Sequence, residues 1–229
     1  MTQQDPSSGG QLPLDFPRID PGQRPLIETA PYQPALNALR RWKQWPERQL
    51  ALSGEAFSGK TRLLRLWAAD AGAALVTGQG LAAAPIEEIS RLSISALAID
   101  DADMAQDGHG LLAALNLCRD RGAPVLVAGR GEPGTWFPLP PDLRSRLTAM
   151  PVVAIEPPDD ETLALRLREE CARRHLILSD ESVAYLAPRM ERSWAAVGLV
   201  ADQIERTRGR AETRASARAV LVALGMDPG

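Results

Sequence analysis

The chain has 229 residues, 45% hydrophobic and 24% charged, enough for one large folded unit or one with a small companion. A formal net charge of -3 argues against a protein that grips duplex phosphates through a strongly basic surface, so strong direct DNA binding is not expected. No apolar run reaches membrane-spanning length and the N-terminus has no charged-then-apolar signal, so we expect no membrane association and a cytoplasmic location.

Residues 1–23 form a leader that is polar at its start and broken by proline at its end, a composition unfit for a core. Within it, "GGQLPLDFP" carries Leu12, Leu14 and Phe16 beside Gln11, with the spacing Q-x-x-L-x-F. An apolar hexapeptide in such a tail calls for a partner to bury it. From Tyr32 to Trp45, the residues Ala35, Ala38, Leu39, Trp42 and Trp45 recur at three and four positions, which predicts one helix ended by Pro46.

Five short apolar runs follow: "QLALSG", "AALVTG", "SALAIDDAD", "PVLVAG" and "VVAI", with lengths suited to strands buried on both faces. Helical patterns lie between them. Leu64, Trp67, Ala68 and Ala71 share a face that closes at Gly72, and Leu111, Ala114, Leu115 and Cys118 share one that closes at Gly122. Strands alternating with helices predict an α/β fold with a parallel sheet. After "EPPDDE" only helices are expected, over about 160–175, 180–189, 194–208 and 212–224, with Ser179 and Ser193 opening the second and third. The arginines of "RTRGRAETRASAR" read as a solvated helix face. Cys118 and Cys171, with His109 and His175, make no metal-binding spacing and read as packing residues.

"GEAFSGKT", from Gly54 to Thr61, fits G-x-x-x-x-G-K-[ST] and stands directly after a strand and at the start of a helix. In that setting the backbone N–H groups around Gly54, Ser58 and Gly59 form an anion cradle. Lys60 reaches the β- and γ-phosphates, and the Thr61 hydroxyl serves Mg²⁺. Only two of the 26 basic residues are lysines, Lys43 and Lys60, which makes the place of Lys60 informative. In "LAIDDAD", the buried strand ends at Asp100, expected to support the metal, and Asp101, expected to face the attacking water. "PDLRSRL", between the fourth and fifth strands, offers Arg144 and Arg146, and residue physics alone leaves them as ordinary surface charges.

The order of phosphate loop, "IDD", "DLRSRL", "IEPPDDETLALRL" and a helical segment with "MERSWAAV" resembles the AAA+ ATPases. Within them it is similar to the replication initiator DnaA and to its shortened relatives, the Hda-type regulatory inactivators of DnaA. The resemblance covers about residues 24–224 and implies an AAA+ P-loop α/β domain with a five-stranded parallel sheet over 24–156. A small all-helical lid domain is implied over 157–229. It further implies ADP or ATP with Mg²⁺ as ligand, DnaA and the DNA polymerase sliding clamp as partners, and leaves room for a homodimer. Gln11, Leu12, Leu14 and Phe16 then become the clamp-binding peptide, and Arg146 an arginine finger offered to a neighbour's nucleotide. DnaA continues into a helix-turn-helix domain for which no length is expected here after Gly229.

The sequence also departs from the family. After the fourth strand, where a first sensor residue is expected, stand Ala128, Gly129 and Arg130. Ala196 and Gly198 occupy the region of the lid arginine, and "PLIETAPYQ" matches the adenine-side segment poorly. The expectation is therefore nucleotide binding with weak or no intrinsic hydrolysis, joined to stimulation of hydrolysis by DnaA. The alternative is an autonomous ATPase or loader that remodels a replication partner by its own turnover.

Overall fold

A computed structural model describes residues 28–106, 108–207 and 210–226. Helix α1 (Gln33–Arg40) ends earlier than its apolar spacing predicts, and a 3-10 turn follows over Trp42–Gln44. Two effects break the expected helix. Pro46 forces Trp45 into extended backbone (φ -60°, ψ 135°). The indoles of Trp42 and Trp45 also pack on Trp67, edge-on at 6.3 Å and stacked at 5.2 Å. Trp45 Nε1 donates to the Ala38 carbonyl at 2.8 Å, so tertiary packing satisfies a group that further helix would have used.

The five predicted strands are present: β1 (Gln49–Ser53), β2 (Ala74–Thr77), β3 (Leu97–Asp100), β4 (Val125–Gly129) and β5 (Val152–Ala154). They pair in parallel in the order β2-β3-β4-β1-β5. Helices α2 (Lys60–Ala71), α3 (Gly78–Ala83), α4 (Ile86–Arg91), α5 (His109–Arg121) and α6 (Pro141–Ala149) cover the two faces. Strand alternation divides the core. Ala51, Leu97, Ile99, Val125 and Val127 meet Leu81, Ile89, Leu111, Leu115, Leu143 and Leu147 on one side. Leu50, Leu52, Ala98, Leu126 and Ala128 meet Leu36, Leu39, Leu63, Leu64 and Trp67 on the other. Each fully buried leucine contributes roughly 1.5–3 kcal/mol of apolar transfer, so both faces hold the sheet firmly. Buried Cys118 and Cys171 are packing residues, their thiols pushed up to about 12 and about 11 by loss of water.

Beyond Pro158 a third core forms among α7 (Asp160–Arg173), α8 (Asp180–Leu186), α9 (Trp194–Arg206) and α10 (Arg214–Ala223). The side chains of Asp159, Ser179, Ser193 and Thr213 cap these helices by accepting backbone N–H bonds. This part is not purely helical: β6 (Ile177–Leu178) pairs in parallel with β7 (Arg210–Ala211). The arginine-rich stretch is correspondingly no single helix face, since it runs from the end of α9 through β7 into α10. Arg214 and Arg189 lie over the Tyr185 ring at 5.1 and 4.3 Å. No helix among the described residues is long and apolar enough to cross a membrane.

Candidate nucleotide site

Strand β1 runs between β4 and β5 and delivers the chain into Gly54–Thr61 at the sheet's carboxyl edge, the usual place for ligand-binding loops in open parallel sheets. The loop is shaped by what glycine alone permits. A side chain at Gly54 would come within 2.7 Å of Ser58 Oγ, and Gly59 takes a left-handed φ of 92° as it caps α2. Ser58 is fully buried and its Oγ has no hydrogen-bond partner among the described residues. Lys60 is buried too, and its Nζ donates to the carbonyls of Gly54 at 3.0 Å and Glu55 at 2.8 Å. Thr61 follows in the first turn of α2.

Asp100 ends β3 almost fully buried, and its Oδ1 accepts the Asp101 N–H at 3.1 Å. Asp101 is solvent-exposed and left-handed (φ 45°), aimed by a turn against which Gly78 packs so closely that a Cβ there would meet the Asp101 carbonyl at 2.3 Å. Burial raises the Asp101 carboxyl above its ordinary value, and Asp100 and Asp103 add to the rise. Burial also lowers the Lys60 ammonium. Asp103 opposes that most, ahead of Asp101 and Asp100, while Arg130 reinforces it. These four charges therefore share one electrostatic site with Lys60.

Two groups of this site lay outside the expected set. Asp103 pairs with Arg130, whose Nε donates to Asp103 Oδ2 at 3.2 Å. The third acid of "DDAD" was the signal for Asp103, but its partner lies 27 residues on and only the sheet brings them together. At the other rim, Arg62 and Arg166 both pair with Glu169, at 3.0 and 2.9 Å, joining the phosphate-loop helix α2 to α7. The Tyr32 ring lies 5.2 Å from that of Trp194, the first residue of α9, tilted by 49°, and its hydroxyl would lie 3.2 Å from a Cβ at Gly59. Trp194 is thus buried with residues of the sheet's core rather than with the helical core. Burial raises the Tyr32 phenol, opposed by Arg166 and Arg62.

The arginines of α6 lie elsewhere. Arg144 is exposed and Arg146 half-buried. Arg146 lines an open groove of about 400 Å³ with Glu47, Gln49, Leu112, Asp142 and Ser145. Gln49 begins β1, so this groove is at the opposite end of that strand from the phosphate loop. Arg146 makes no hydrogen bond or ion pair among the described residues. Gln11, Leu12, Leu14 and Phe16 lie outside the described residues.

No family model matches the chain, and no curated protein matches it. Solved structures do. Domain III of the Thermotoga maritima replication initiation protein DnaA is 20% identical over 86% of this chain and 91% of its own, with a TM-score of 0.65. AMPPCP-bound DnaA from Aquifex aeolicus is 17% identical over 79% of this chain and 63% of its own, with a TM-score of 0.60. The Thermotoga maritima RuvB Holliday junction branch migration motor is 15% identical over 85% of this chain and 67% of its own, with a TM-score of 0.56. The chain thus spans less than two thirds of the length of the Aquifex DnaA chain. Its five-stranded parallel sheet with flanking helices is the AAA+ P-loop fold of DnaA domain III and RuvB.

Proposed function

We propose that this chain is a DnaA-related AAA+ regulator of replication initiation. It binds ADP or ATP with Mg²⁺, tethers to the sliding clamp through Gln11, Leu12, Leu14 and Phe16, and promotes hydrolysis of ATP held by DnaA. The observation that carries the reading is the position of Arg146: half-buried, unpaired among the described residues, and across the sheet from its own phosphate loop. A guanidinium so placed cannot serve the chain's own nucleotide and is suited to a neighbour's. As charge spreads over the γ-phosphate oxygens during transfer, its fixed fork of donors stabilises that state more than the ground state.

The chain's own site fits a nucleotide on chemical grounds. The Gly54 and Gly59 cradle, the orphaned Ser58 hydroxyl and the Lys60 ammonium are the donors that a phosphate would engage. Thr61 and Asp100 would hold Mg²⁺, which would supply positive charge to offset that of the phosphates. Asp101, raised in pKa and open to solvent, is the group that would orient a water. A second reading, turnover of the chain's own ATP, draws support from the Asp101, Asp103 and Arg130 group beside Lys60. The test is conversion of DnaA-bound ATP to ADP in the presence of clamp loaded on DNA. Wild type should accelerate it and Arg146→Ala should not. Equal acceleration by both overturns the assignment, and substantial turnover without DnaA or clamp favours the second reading.

A further inference from the structure

We propose that the face of the helical part formed by Tyr185, Arg189, Arg210 and Arg214 binds the phosphate backbone of duplex DNA. The arginines of this part divide in two. Arg166, Arg168, Arg173, Arg174 and Arg192 each reach a carboxylate on α7, α8 or α9. Arg189, Arg206, Arg210 and Arg214 are exposed and reach none among the described residues. Over residues 206–218 the sequence sets five arginines against a single acid, Glu212. One side of the helical part is therefore self-neutralised and the other is left cationic.

The fold gathers these cations although doing so is electrostatically unfavourable. Ser182 is buried, and its Oγ donates to the Thr213 carbonyl at 3.2 Å, which seats α8 against the start of α10. Two like charges then meet at one ring. The guanidinium of Arg189 lies 4.3 Å and that of Arg214 5.1 Å from the centre of Tyr185, so the two are no farther apart than those distances together. The ring attracts each cation but cancels neither charge. Arg214 also opposes its own helix. It is the first residue of α10, whose first turn has no acid, whereas α7 opens on Asp160 and Glu161 and α8 on Asp180 and Glu181. A cation at the positive end of a helix dipole is unfavourable, and a bound anion reverses the sign. Arg210, on β7, adds a third cation four residues before Arg214. Phosphate oxygens meet all of these demands, since each guanidinium can hold them through two parallel N–H bonds.

The preference for a duplex follows from what this face lacks. Single strands are held on open aromatic faces where bases stack. The Tyr185 ring is half-buried and already faced by two guanidiniums, and Trp194, the other aromatic residue of the helical part, is buried. Phosphates rather than bases are what the face can hold, and duplex DNA presents them most densely. Because the whole chain carries a charge of -3, the affinity is modest and salt-sensitive.

Full-length protein without nucleotide, titrated into a fluorescent duplex of about 30 base pairs at roughly 50 to 200 mM salt, tests this by anisotropy, independently of the phosphate loop. Wild type should bind with a micromolar Kd at the lowest salt. Its log K should fall against log salt with a slope of about -3, roughly -0.9 for each of the three arginines. Combining Arg189→Ala, Arg210→Ala and Arg214→Ala should weaken binding at least about tenfold and remove most of that slope. Arg210→Glu leaves the Tyr185 contacts intact and should still weaken binding about tenfold. The corresponding triple lysine variant should recover most of the lost binding, because ammonium groups still attract phosphate as point charges. A lysine variant no better than the alanine one overturns the proposal, since the loss then lies in packing on the ring. Wild type that does not bind duplex at the lowest salt, variants that bind it as wild type does, or preferential binding to phosphatidylserine vesicles over duplex overturns it as well.

Discussion

The two ends of strand β1 treat charge in opposite ways. Beyond Ser53, Lys60 rests on two carbonyls, Asp100 on a backbone N–H, and Asp103 on Arg130, each held by a neighbour. Before Gln49, Arg146 sits in a groove whose carboxylates, Glu47 and Asp142, make no ion pair with it. The first arrangement suits the proposed binding of a ligand by the chain itself. A half-buried guanidinium without a partner has already lost part of its hydration, which suits the proposed role in a complex.

Substitutions at the two ends should separate cleanly. The largest effect belongs to the lone arginine. Arg146→Lys should lower stimulation of DnaA-bound ATP hydrolysis by about a thousandfold, because an ammonium lacks the planar fork. Nucleotide binding and thermal midpoint should stay at wild-type values, and a stimulating lysine variant would make Arg146 a mere surface charge. At the opposite end, Lys60→Ala removes charge-assisted phosphate contacts and should weaken nucleotide about 10- to 100-fold by calorimetry. Binding to clamp should be untouched by it. Clamp affinity should instead fall about tenfold or more when Leu14 and Phe16 both become Ala, as expected of paired apolar anchors. If the double variant binds clamp normally, Leu14 and Phe16 are not the anchors and the leader reading fails.

The smallest effect falls on the helical part, remote from both ends. Asp159 accepts the Thr162 N–H at 2.8 Å, and the nearby Thr162 hydroxyl together with this N–H holds its carboxyl below the ordinary value. Removing this cap with Asp159→Ala should cost about 1 kcal/mol, or roughly 2–4 °C in thermal midpoint. The depressed value fixes the sign. The stabilisation is complete above the unfolded carboxylate value, and it is lost as pH falls through that value to the lower folded one. Wild type and variant should therefore converge in midpoint in acid, and a constant difference down to that range would assign the cost to packing.

What could be read ahead of the structure was whatever is local in sequence. The five strands are uninterrupted apolar runs closed by Gly, Asp or Pro, and the phosphate loop announces itself by spacing between a strand and a helix. Ser179 and Ser193 were visible as caps for the same reason. Most of the misses are non-local. The helix expected through Trp45 yields to indole stacking on Trp67, and β6 pairs with β7 across the whole of α8 and α9 in the chain. Arg130 was visible as a departure from the sensor position, yet its tie to Asp103 depends on β3 and β4 being neighbours. The helices α3 and α4, six residues each, are too short for an apolar period to show.

Trp194 gives α9 a mechanical character. The helix is anchored at its first residue, whose indole is sunk among side chains of the sheet and tilted against the Tyr32 ring, while its last residue, Arg206, is exposed at the far end. Thirteen residues make a rod of roughly 20 Å. Its first residue lies beside Gly59 through Tyr32, while Val197, Val200 and Ile204 are buried in the helical core, so α9 rivets the helical part to the neighbourhood of the phosphate loop.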